Sequence, residues 1–541
     1  MKNILKRTLS FLLSAALLCA LAAVPAGAAA GFSDVPNGAW YTAAVKDLTS
    51  RGIMSGKGGG RFEPNSPMTR AEFTTMLAKT ALSEEELSEY KYRGNFSDVG
   101  GGHWANKYIN WANDNGIVSG SGGKFNPSKM ITRQDMAVML VNYSRAMCIE
   151  LPPTTSSVSF ADSGKITRYA RESVEACVRA GIIKGDNGYF RPTDTSRRCE
   201  AAQMFSAFLK LGRAPRFKVV RRRVGGVSVS GVSFDPMDFT PNVVMGGSRV
   251  NGGESVGSLI RRAGAEIAVN GAFFDMESYA PYGTIVKNRE LVTTFNNYSP
   301  QKSAIIMDGS GRWSVENFFT YVTLTAFRYD GSEKTAKEVA VNRRPSRPTD
   351  GSRIIFTRAW GSRLGFAPKY AVKVDKKGFV TDIYHDTDVE IPESGYLIVQ
   401  QADRQYQNEF ISTMAVGSVI DKQVEYRGSS TQDIKYCVAV GPRLVKGGRA
   451  YGDSGTYAAE GLDHINNFSG DVRVCMGVKP DGDLVIVTAY ASLPEMSKVM
   501  VGLGCDSAVN LDGGGSANLY AGGLYFTGPR ERLLNNVLTF R

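Results

Sequence analysis

The sequence predicts a multidomain protein: an all-α domain of three repeats, followed by an α+β domain with a mixed β-sheet core. Two observations support this fold class. A set of short motifs returns every 64 residues in the first part of the chain, and each copy continues into amphipathic helical patterns. Beyond residue 226, short apolar runs typical of buried strands are interspersed with helical patterns. The expected domains are residues 31–210 and 226–541, joined by a basic linker over 211–225.

The repeats occupy residues 31–82, 95–146 and 159–210 and share one order of motifs. Each copy opens on a Phe-x-Asp motif and closes its first helix on Gly-Ile. A Phe-x-Pro motif then precedes an arginine by eight residues, and a carboxylate follows that arginine by two. Repeats of this size bury their apolar faces only against one another. The marker residues are Asp34, Trp40, Phe62, Arg70 and Glu72, then Asp98, Trp104, Phe125, Arg133 and Asp135, then Asp162, Tyr169, Phe190, Arg198 and Glu200.

This repeat resembles the S-layer homology module, which usually occurs in three copies. The Thr-Arg-Ala-Glu motif stands at 69–72 and in altered form at 132–135, whereas the third copy departs from it at 197–200. The resemblance implies binding to secondary cell-wall polysaccharide, often capped with pyruvate, whose carboxylate an arginine fork can hold. The implied wall-binding residues are Arg70, Arg133, Arg198, Trp40, Trp104, Asp34 and Asp98. The alternative is that each arginine caps its helix or pairs with the carboxylate two positions later.

Residues 1–30 have the pattern of a secretory signal peptide. Lys2, Lys6 and Arg7 precede an apolar run over 9–24, and small residues follow it. The run is short for a membrane span, so cleavage is favoured over an uncleaved anchor, and no transmembrane segment is expected afterwards. Losing three positive charges takes the formal net charge from +12 to +9. A basic secreted protein suits anionic surroundings such as wall polymers, and no nucleic-acid motif accompanies the charge.

The cysteines and histidines do not indicate a metal site. Cys19 lies in the signal peptide, and three of the other six cysteines fall on each side of residue 215, an odd count that argues against a full disulfide framework. No Cys-x-x-Cys spacing occurs, and the three histidines are His103, His385 and His464. We therefore expect no metal and no cofactor.

Residues 226–541 show several strand patterns and a helix between the last two of them. Ser492 and Glu495 form a capping-box pattern at its start, and Gly504 provides a C-terminal stop. The chain then returns as a strand. The strand candidates are 227–232, 267–270, 435–440, 483–490 and 508–511.

The last strand leads into Asn510-Leu-Asp512-Gly-Gly-Gly-Ser516, the most informative stretch of the chain. Glycines let a backbone approach a ligand closely and point its N–H groups at an anion. The carboxylate beside them can handle a proton or a sugar hydroxyl. A tight turn after a strand is the simpler alternative, but a glycine-rich loop at the end of a buried strand is a common ligand site.

With three other stretches in order, this motif resembles the phosphodiester glycosidase family over about residues 215–541. The stretches are Ala268-Val-Asn-Gly-Ala-Phe-Phe-Asp275, Val440-Gly-Pro-Arg-Leu-Val445 and Val472-Arg-Val-Cys-Met-Gly477. The chain departs from the family pattern at Ala272, Val474 and Cys475. These departures leave the arginine and the carboxylates in place, so they bear on substrate preference more than on the reaction.

The resemblance implies a secreted hydrolase, attached to the wall or S-layer of a bacterium, that cleaves the glycosidic bond of sugar-1-phosphodiesters such as N-acetylglucosamine-1-phosphodiesters. Asp512, Arg473 and Asn270 are the catalytic candidates, with Asp512 as base, nucleophile or ligand of a sugar hydroxyl. We expect these three to meet in one pocket because each ends or interrupts a strand of one sheet. The substrate-binding candidates are Asn510, Gly513, Gly514, Gly515, Ser516, Asp275 and His464, and Glu460 and Asp463 are further candidates for a second carboxylate.

Two rival functions remain. Gly253-Glu-Ser255-Val-Gly257 matches the nucleophile elbow of serine hydrolases, but a loop rather than a buried strand precedes it, so Ser255 is better explained as a helix start. The other rival is a non-catalytic polysaccharide-binding or exopolysaccharide-assembly protein that keeps the glycosidase fold, since fold does not determine function.

Overall fold

The computed structural model describes residues 31–91, 94–156, 159–294, 302–345, 352–401, 410–411, 414–462, 468–527 and 531–541. The predicted signal peptide lies outside the described residues. The chain divides into two compact units, one ending at Arg213 and the other beginning at Ala214. Within these ranges, none of the helices combines the length and the apolar character needed to cross a membrane.

The first unit contains short helices, two for most repeats. Thr69 begins the second helix of its repeat as a capping box with Glu72, and Thr132 caps the equivalent helix. Two 3₁₀ turns, Ser163–Lys165 and Arg168–Ala170, precede the third pair of helices. The α-helices are α1 (Thr42–Ser50), α2 (Arg70–Ala81), α3 (Glu84–Ser88), α4 (Asn106–Asp114), α5 (Arg133–Ala146), α6 (Arg171–Arg179) and α7 (Arg198–Leu211).

A ring of three backbone hydrogen bonds joins the repeats just before α2, α5 and α7. The Met68 N–H donates to the Ser196 carbonyl, the Ser196 N–H to the Ile131 carbonyl, and the Ile131 N–H to the Met68 carbonyl, each at 2.9 Å. The three repeats also share one apolar core, to which each contributes its Phe-x-Pro phenylalanine. The repeats therefore close on one another around a common centre, as their inability to bury an apolar face alone predicts.

The expectation of an all-α first domain is wrong. Its helices are short, at most 14 residues, and extended segments and turns connect them. Isolated β-bridges occur inside each repeat and between repeats, for example Gly58 with Arg61 and Thr132 with Thr195. The extended segments are needed because the backbone ring between repeats requires N–H and C=O groups that a helix would use internally.

The second unit is built from four β-sheets. The first has the order β1 (Lys218–Val224), β2 (Val227–Phe234), β20 (Leu484–Ala491), β19 (Asp471–Val478), β21 (Ser507–Asn510), β17 (Arg443–Lys446), β18 (Arg449–Ala450). The second has the order β23 (Leu524–Tyr525), β22 (Leu519–Ala521), β4 (Ile267–Asn270), β24 (Asn536–Phe540), β3 (Pro241–Met245).

The other two sheets are formed mostly by the middle of the chain. The third has the order β15 (Val419–Arg427), β8 (Trp313–Phe327), β7 (Lys302–Asp308), β16 (Ile434–Ala439), β5 (Ile285–Lys287), β6 (Glu290–Thr293), with β9 (Glu333–Ala336) paired to β8. The fourth has the order β10 (Ala340–Val341), β11 (Arg353–Phe356), β14 (Tyr396–Gln400), β12 (Tyr370–Val374), β13 (Val380–His385).

The described part of this unit has three α-helices: α8 (Val256–Ala263), α9 (Ser454–Ala459) and α10 (Leu493–Gly502). Ser492 and Glu495 form the predicted capping box of α10. The apolar face of α10, including Met496, Val499 and Met500, is buried against the first sheet. This helix supports the strand that leads to the glycine-rich loop.

The expectation of an α+β domain built on a mixed-sheet core is also wrong, although the chain is multidomain, because the described part of this unit is mostly β-sheet and only its fourth sheet is mixed. The paired strands are antiparallel except β10 with β11, which are parallel. Parallel pairs need crossover connections, usually helices, and this unit instead joins many of its strands through turns. β1 also lies inside the segment 211–225 that the sequence predicts as a linker, so the part of that segment from Lys218 to Val224 belongs to the first sheet.

We expect residues 214–541, expressed alone, to give a soluble protein with one cooperative thermal transition. The chain divides into its two compact units after Arg213, and the second unit has apolar clusters of its own, so it should fold without the first. Circular dichroism during heating would measure the transition, with the chain 31–541 as the control. Insoluble or non-cooperative material beside a well-folded longer chain would show that the units depend on each other.

Candidate functional site

The glycine-rich loop lies where two sheets meet. Asn270 ends β4 in the second sheet, whereas Asp512 follows β21 in the first. The Asn270 side-chain amide donates to the Asp512 carbonyl at 2.5 Å, and the Asp512 N–H lies 3.5 Å from the Gly271 carbonyl. The expectation that all three catalytic candidates end strands of one sheet is therefore wrong, because β4 belongs to another sheet. The structure nevertheless brings Asn270 and Asp512 into contact.

Arg473 lies on β19, next to β21, and reaches the same loop. The arginine is 3% exposed, and its Nε donates to the Ala491 carbonyl at 3.4 Å. A Cβ at position 513 would lie 3.9 Å from an Arg473 Nη. The guanidinium therefore adjoins the residue that directly follows Asp512, so a buried positive charge borders the loop.

The Asp512 carboxyl group has an unusual protonation equilibrium. Burial raises its pKa to about 6, against the lowering effects of a hydrogen bond from the Ser516 hydroxyl, the positive charge of Arg532 and the Gly513 backbone. A carboxyl group with this pKa is partly protonated near neutral pH and can both accept and return a proton.

The glycine loop turns sharply and is closely surrounded. Gly514 has a φ of +55°, a conformation that favours glycine, and begins a 3₁₀ turn that ends at Ser516. A Cβ at position 515 would lie 2.6 Å from the Arg532 guanidinium carbon. A side chain at position 514 would strain the turn, and one at position 515 would displace the Arg532 guanidinium.

The predicted asparagines are buried and bonded to backbone groups. Asn270 also accepts from the Asn518 N–H at 2.9 Å. The Asn510 amide donates to the Gly441 carbonyl at 3.1 Å, and the Gly441 N–H donates to the Asn510 carbonyl at 3.0 Å. Each side-chain amide is thus hydrogen-bonded to backbone groups at the ends of strands and holds the loop in place.

Asp275 does not join this cluster through its described contacts. The Asp275 carboxylate accepts from Glu277, Ser278 and Tyr282, which closes a local turn, and these hydrogen bonds lower its pKa, led by the backbone N–H of Ser278. His464 and Asp463 lie outside the described residues.

Glu460 is a buried carboxylate with a positioning role. It is 5% exposed and accepts from the Ser303 N–H at 3.0 Å, the Ser303 hydroxyl at 3.0 Å and the Arg443 N–H at 3.1 Å. These bonds fix the segment beside Gly441, whose backbone in turn holds Asn510. Glu460 therefore stabilises the segment around Gly441, which holds the strand end before the glycine loop.

Sequence reasoning missed two charged residues at the loop. Arg532 donates to the Ser516 hydroxyl at 3.2 Å. Asp471 adjoins Gly514, since a Cβ at that position would lie 3.4 Å from one of the Asp471 carboxylate oxygens. Asp471 stands two positions before Arg473, so the period of two in a strand was a usable signal. Arg532 lies 16 residues beyond Ser516 and had no such signal.

In the first unit, the three motif arginines connect consecutive repeats. Each donates from Nε to the carbonyl of a phenylalanine in the next repeat and places its guanidinium over that ring. The Nε–O distances and the guanidinium–ring distances are 3.1 and 4.8 Å for Arg70 with Phe125, 2.8 and 5.5 Å for Arg133 with Phe190, and 3.0 and 4.6 Å for Arg198 with Phe62. Because the third arginine returns to the first repeat, these contacts form a closed cycle.

The charge partners of these arginines also come from another repeat. Arg133 lies 3.7 Å from Glu200, and Arg198 lies 3.8 Å from Glu72. The alternative, in which each arginine pairs with the carboxylate two positions later, therefore names the wrong partner for Arg133 and Arg198. The motif carboxylates instead cap the first turns of α2 and α7 and face the arginine of the preceding repeat in the cycle.

The Phe-x-Asp carboxylates close turns within their own repeats. Asp34 accepts from the backbone N–H groups of residues 62 and 63, and Asp98 from those of 125 and 126, all at 2.7–2.8 Å. Both carboxylates are thus used by the fold, and their role as polymer contacts stays a prediction. Trp40 and Trp104 are each 58% exposed and remain available to a ligand.

One cavity of about 570 Å³ in the first unit brings an exposed aromatic ring together with several cations. It is large enough for a short oligosaccharide. Glu200 also lines it and receives the Arg191 guanidinium at 3.0 Å. The aromatic and cationic residues of its lining are Trp40, Arg133, Lys184, Arg191, Arg197 and Lys210.

The described cysteines are separate thiols. The six cysteines from Cys148 to Cys505 are free thiols, and all but Cys148 are buried, so no disulfide framework is formed. In the part of the chain that the structure describes, no three His, Cys, Asp or Glu side chains converge as a metal site would require.

Family comparison agrees with these two units. The model of the phosphodiester glycosidase family matches residues 368–541, and that of the S-layer homology domain matches 31–74, 95–137 and 159–202. The chain carries three S-layer homology repeats and a phosphodiester glycosidase domain. Arg473 and Asp512 lie inside the glycosidase match, whereas Asn270 lies before it. The repeats indicate a cell-surface, wall-anchored protein.

Individual relatives match only parts of this S-layer homology and glycosidase chain. An endoglucanase of Bacillus sp. (strain KSM-635) is 31% identical over 215 residues, which are 38% of this chain and 22% of the endoglucanase. S-layer protein sap of Bacillus anthracis is 28% identical over 205 residues, 38% of this chain and 24% of that protein. This chain thus spans less than a quarter of each.

Among solved structures, a hypothetical protein from Synechocystis has a TM-score of 0.50 and 21% identity, over 61% of this chain and 64% of that one. This likeness concerns the fold alone.

Proposed function

We propose that the glycosidase domain hydrolyses the bond between the anomeric carbon of a sugar and the oxygen of a phosphodiester. The observation that supports this reaction best is the Asp512 carboxyl group, with its raised pKa, at the start of a glycine-rich turn bordered by Arg473. An acid–base group beside a place for a negative charge is what such a bond cleavage needs.

The leaving group reduces the number of catalytic groups required. A phosphate oxygen leaves with its negative charge stabilised by resonance, so it needs less protonation than the alcohol that leaves from an ordinary glycoside. Arg473 and the backbone of Gly513–Gly515 would stabilise the phosphate charge. One carboxylate can then suffice as the base, and we assign that role to Asp512.

In this scheme Asp512 accepts a proton from the attacking water while the anomeric C–O bond breaks. The products are the free sugar and a phosphate monoester, and the proton taken up by Asp512 is later released to solvent. Ser516 orients the carboxylate by donating its hydroxyl to it. Asn270 and Asn510 hold the strand ends on which the loop rests.

We further propose that the repeats attach the enzyme to secondary cell-wall polysaccharide, including pyruvylated forms, on the bacterial surface. The exposed Trp40 and the cations in the first-unit cavity suit an anionic sugar polymer. The substrate would then be a wall or extracellular glycan that carries sugar-1-phosphodiester bonds.

A direct assay distinguishes this enzyme from the second candidate, a non-catalytic polysaccharide-binding protein. The mature protein, incubated with an N-acetylglucosamine-1-phosphodiester, should release the free sugar and a phosphate monoester in equal amounts. Binding without turnover across pH 5–8 would contradict the enzymatic proposal and support the non-catalytic function.

We expect Arg473→Ala to lower kcat/KM for a sugar-1-phosphodiester by about a hundredfold, and to lower that for a neutral aryl glycoside far less. The arginine would stabilise negative charge that only the phosphodiester brings. The comparison needs both substrates with one enzyme preparation, and Arg363→Ala, an exposed arginine paired with Asp388, serves as the control. Equal losses on the two substrates would contradict a phosphate-specific role.

We expect Trp40→Ala combined with Trp104→Ala to weaken retention on purified wall polysaccharide at least tenfold without changing the melting temperature. Both rings are exposed, so their loss removes sugar-stacking surface and little packing. Tyr189→Ala, at a ring that is 50% exposed, is the matched control. Undiminished retention of the tryptophan double variant would place the polymer elsewhere.

A further inference from the structure

Arg532 occupies a position that neither the sequence motifs nor the proposed reaction has used. It follows β22 and β23 and comes back over the glycine turn, where its Nη1 donates to the Ser516 hydroxyl at 3.2 Å. The Ser516 hydroxyl in turn donates to the Asp512 carboxylate. One chain of hydrogen bonds therefore runs from the Arg532 guanidinium through Ser516 to the candidate base.

The guanidinium lies directly on the backbone of the turn. A Cβ at position 515 would come within 2.6 Å of the guanidinium carbon and within 2.6 Å of Nη2. Glycine at this position therefore permits the arginine to approach the backbone N–H groups of the loop. Such an approach places a full positive charge directly beside the backbone of the turn.

Arg473 and Arg532 approach the turn at different residues. Arg473 is buried and adjoins Gly513, whereas Arg532 is exposed and adjoins Gly515. A phosphodiester has two unesterified oxygens that share one negative charge. Two guanidinium groups, one reaching from the protein interior and one from the solvent side, match that pair of oxygens better than a single arginine does.

We propose that Arg532 is a second phosphate-binding residue, which contacts the substrate phosphodiester from the solvent side of the Gly513–Gly515 turn while Arg473 contacts it from the interior. This inference rests on the proposed function and adds the recognition of the leaving group. Because Ser516 lies between Arg532 and Asp512, the positive charge of this arginine also lowers the pKa of the candidate base.

The charged groups around Asp512 determine how the pH profile should respond. Arg532 lowers the pKa of Asp512 by its charge, while Arg473 and Asp471 come to the same loop from β19. Removal of the Arg532 charge leaves the other two groups in place. The acid limb of the rate profile should then move to higher pH, a change that a loss of packing alone would not produce.

The test uses the chain 31–541 with Arg532→Met, which keeps an unbranched stem, Arg532→Lys, which keeps the charge, and Arg363→Met as the control. Arg532→Met should lower kcat/KM for a sugar-1-phosphodiester by about a hundredfold and change that for a neutral aryl glycoside less than about threefold. Arg532→Lys should keep about a tenth to a third of the wild-type kcat/KM for the sugar-1-phosphodiester. Melting temperatures should agree among all four proteins.

An activity-independent measurement keeps this inference separate from the reaction. Methyl phosphate, a phosphate monoester probe, should bind the wild-type chain in calorimetric titration, and Arg532→Met should weaken that binding at least tenfold. Phosphodiester turnover and probe binding that are both unchanged in Arg532→Met would overturn the role of Arg532 and leave the reaction standing. A wild-type chain without turnover whose probe binding depends on Arg532 would overturn the reaction alone.

Discussion

Asp512→Asn is expected to lower the turnover of a sugar-1-phosphodiester by about a hundredfold or more, the usual loss when a catalytic acid or base is removed. The amide has the shape of the carboxyl group and can still receive the Ser516 hydroxyl bond, but it cannot take up a proton. The measurement is kcat for the wild-type and variant chains on one phosphodiester substrate. Asp386→Asn, at an exposed carboxylate paired with Lys369, is the matched control.

The same variant should be more stable than the wild type above neutral pH. Asp512 has a folded-state pKa of about 6 against an ordinary 3.8, so folding disfavours its ionised form. The wild type therefore loses stability as the pH rises from about 4 through 6, by up to about 3 kcal/mol for a shift of roughly two pKa units. Asparagine removes that loss, so the melting temperatures should differ at pH 8 and converge near pH 4.

The pH dependence of the wild-type rate follows from the same carboxyl group. If Asp512 acts as a base, the rate should rise through an acid limb with an apparent pKa of about 6 and level off above it. A fully active Asp512→Asn enzyme, or a wild-type profile that is flat between pH 5 and 7, would remove Asp512 from the reaction.

Arg198→Ala should destabilise the repeat unit by about 3–5 kcal/mol, the typical cost of breaking a buried ion pair from one side. Arg198 is 4% exposed, and its guanidinium donates to the Phe62 carbonyl at 3.0 Å and the Ser55 carbonyl at 2.6 Å. Glu72 would also lose its partner at 3.8 Å. These contacts close the cycle of repeats, because they join the third copy to the first.

Calorimetry of the chain 31–541 can isolate this effect. The transition of the repeat unit should move to lower temperature, and that of the glycosidase unit should stay in place. Arg197→Ala is the neighbouring control, because the Arg197 side chain is 46% exposed and its pair with Glu200 should contribute at most about 1 kcal/mol. An Arg198→Ala protein that melts like the wild type would show that this arginine is not needed for the contact between repeats, and it would again be a candidate for binding the polymer.

This stability effect also bears on how polymer-binding experiments are read. Arg70 and Arg133 make the same kind of contact across repeats as Arg198 does. Loss of wall retention in variants of these arginines can therefore arise from separated repeats rather than from a missing ligand contact. The exposed tryptophans offer a test of binding that leaves the inter-repeat contacts intact.

Local patterns alone determined a large part of this protein. The motifs within each repeat, the capping boxes at Thr69 and Ser492, and the strand that leads into the glycine turn all depend on residues close together in the chain. Capping and periodicity are short-range effects, so a single sequence contains the information for them. The motif Asn510–Ser516 was found for the same reason, since its glycines and its carboxylate are consecutive.

The tertiary structure alone decided the sheet arrangement and the partners of the charged residues. Antiparallel pairing, the separate sheet of β4, and the approach of Arg532 to Gly515 depend on connections across long stretches of chain. Arg198 finds its carbonyl partner 136 residues away, where the sequence suggested a carboxylate two positions along. A buried charge binds whichever group the fold brings near it, because desolvation makes an unpaired charge costly, and that choice is not written in neighbouring residues.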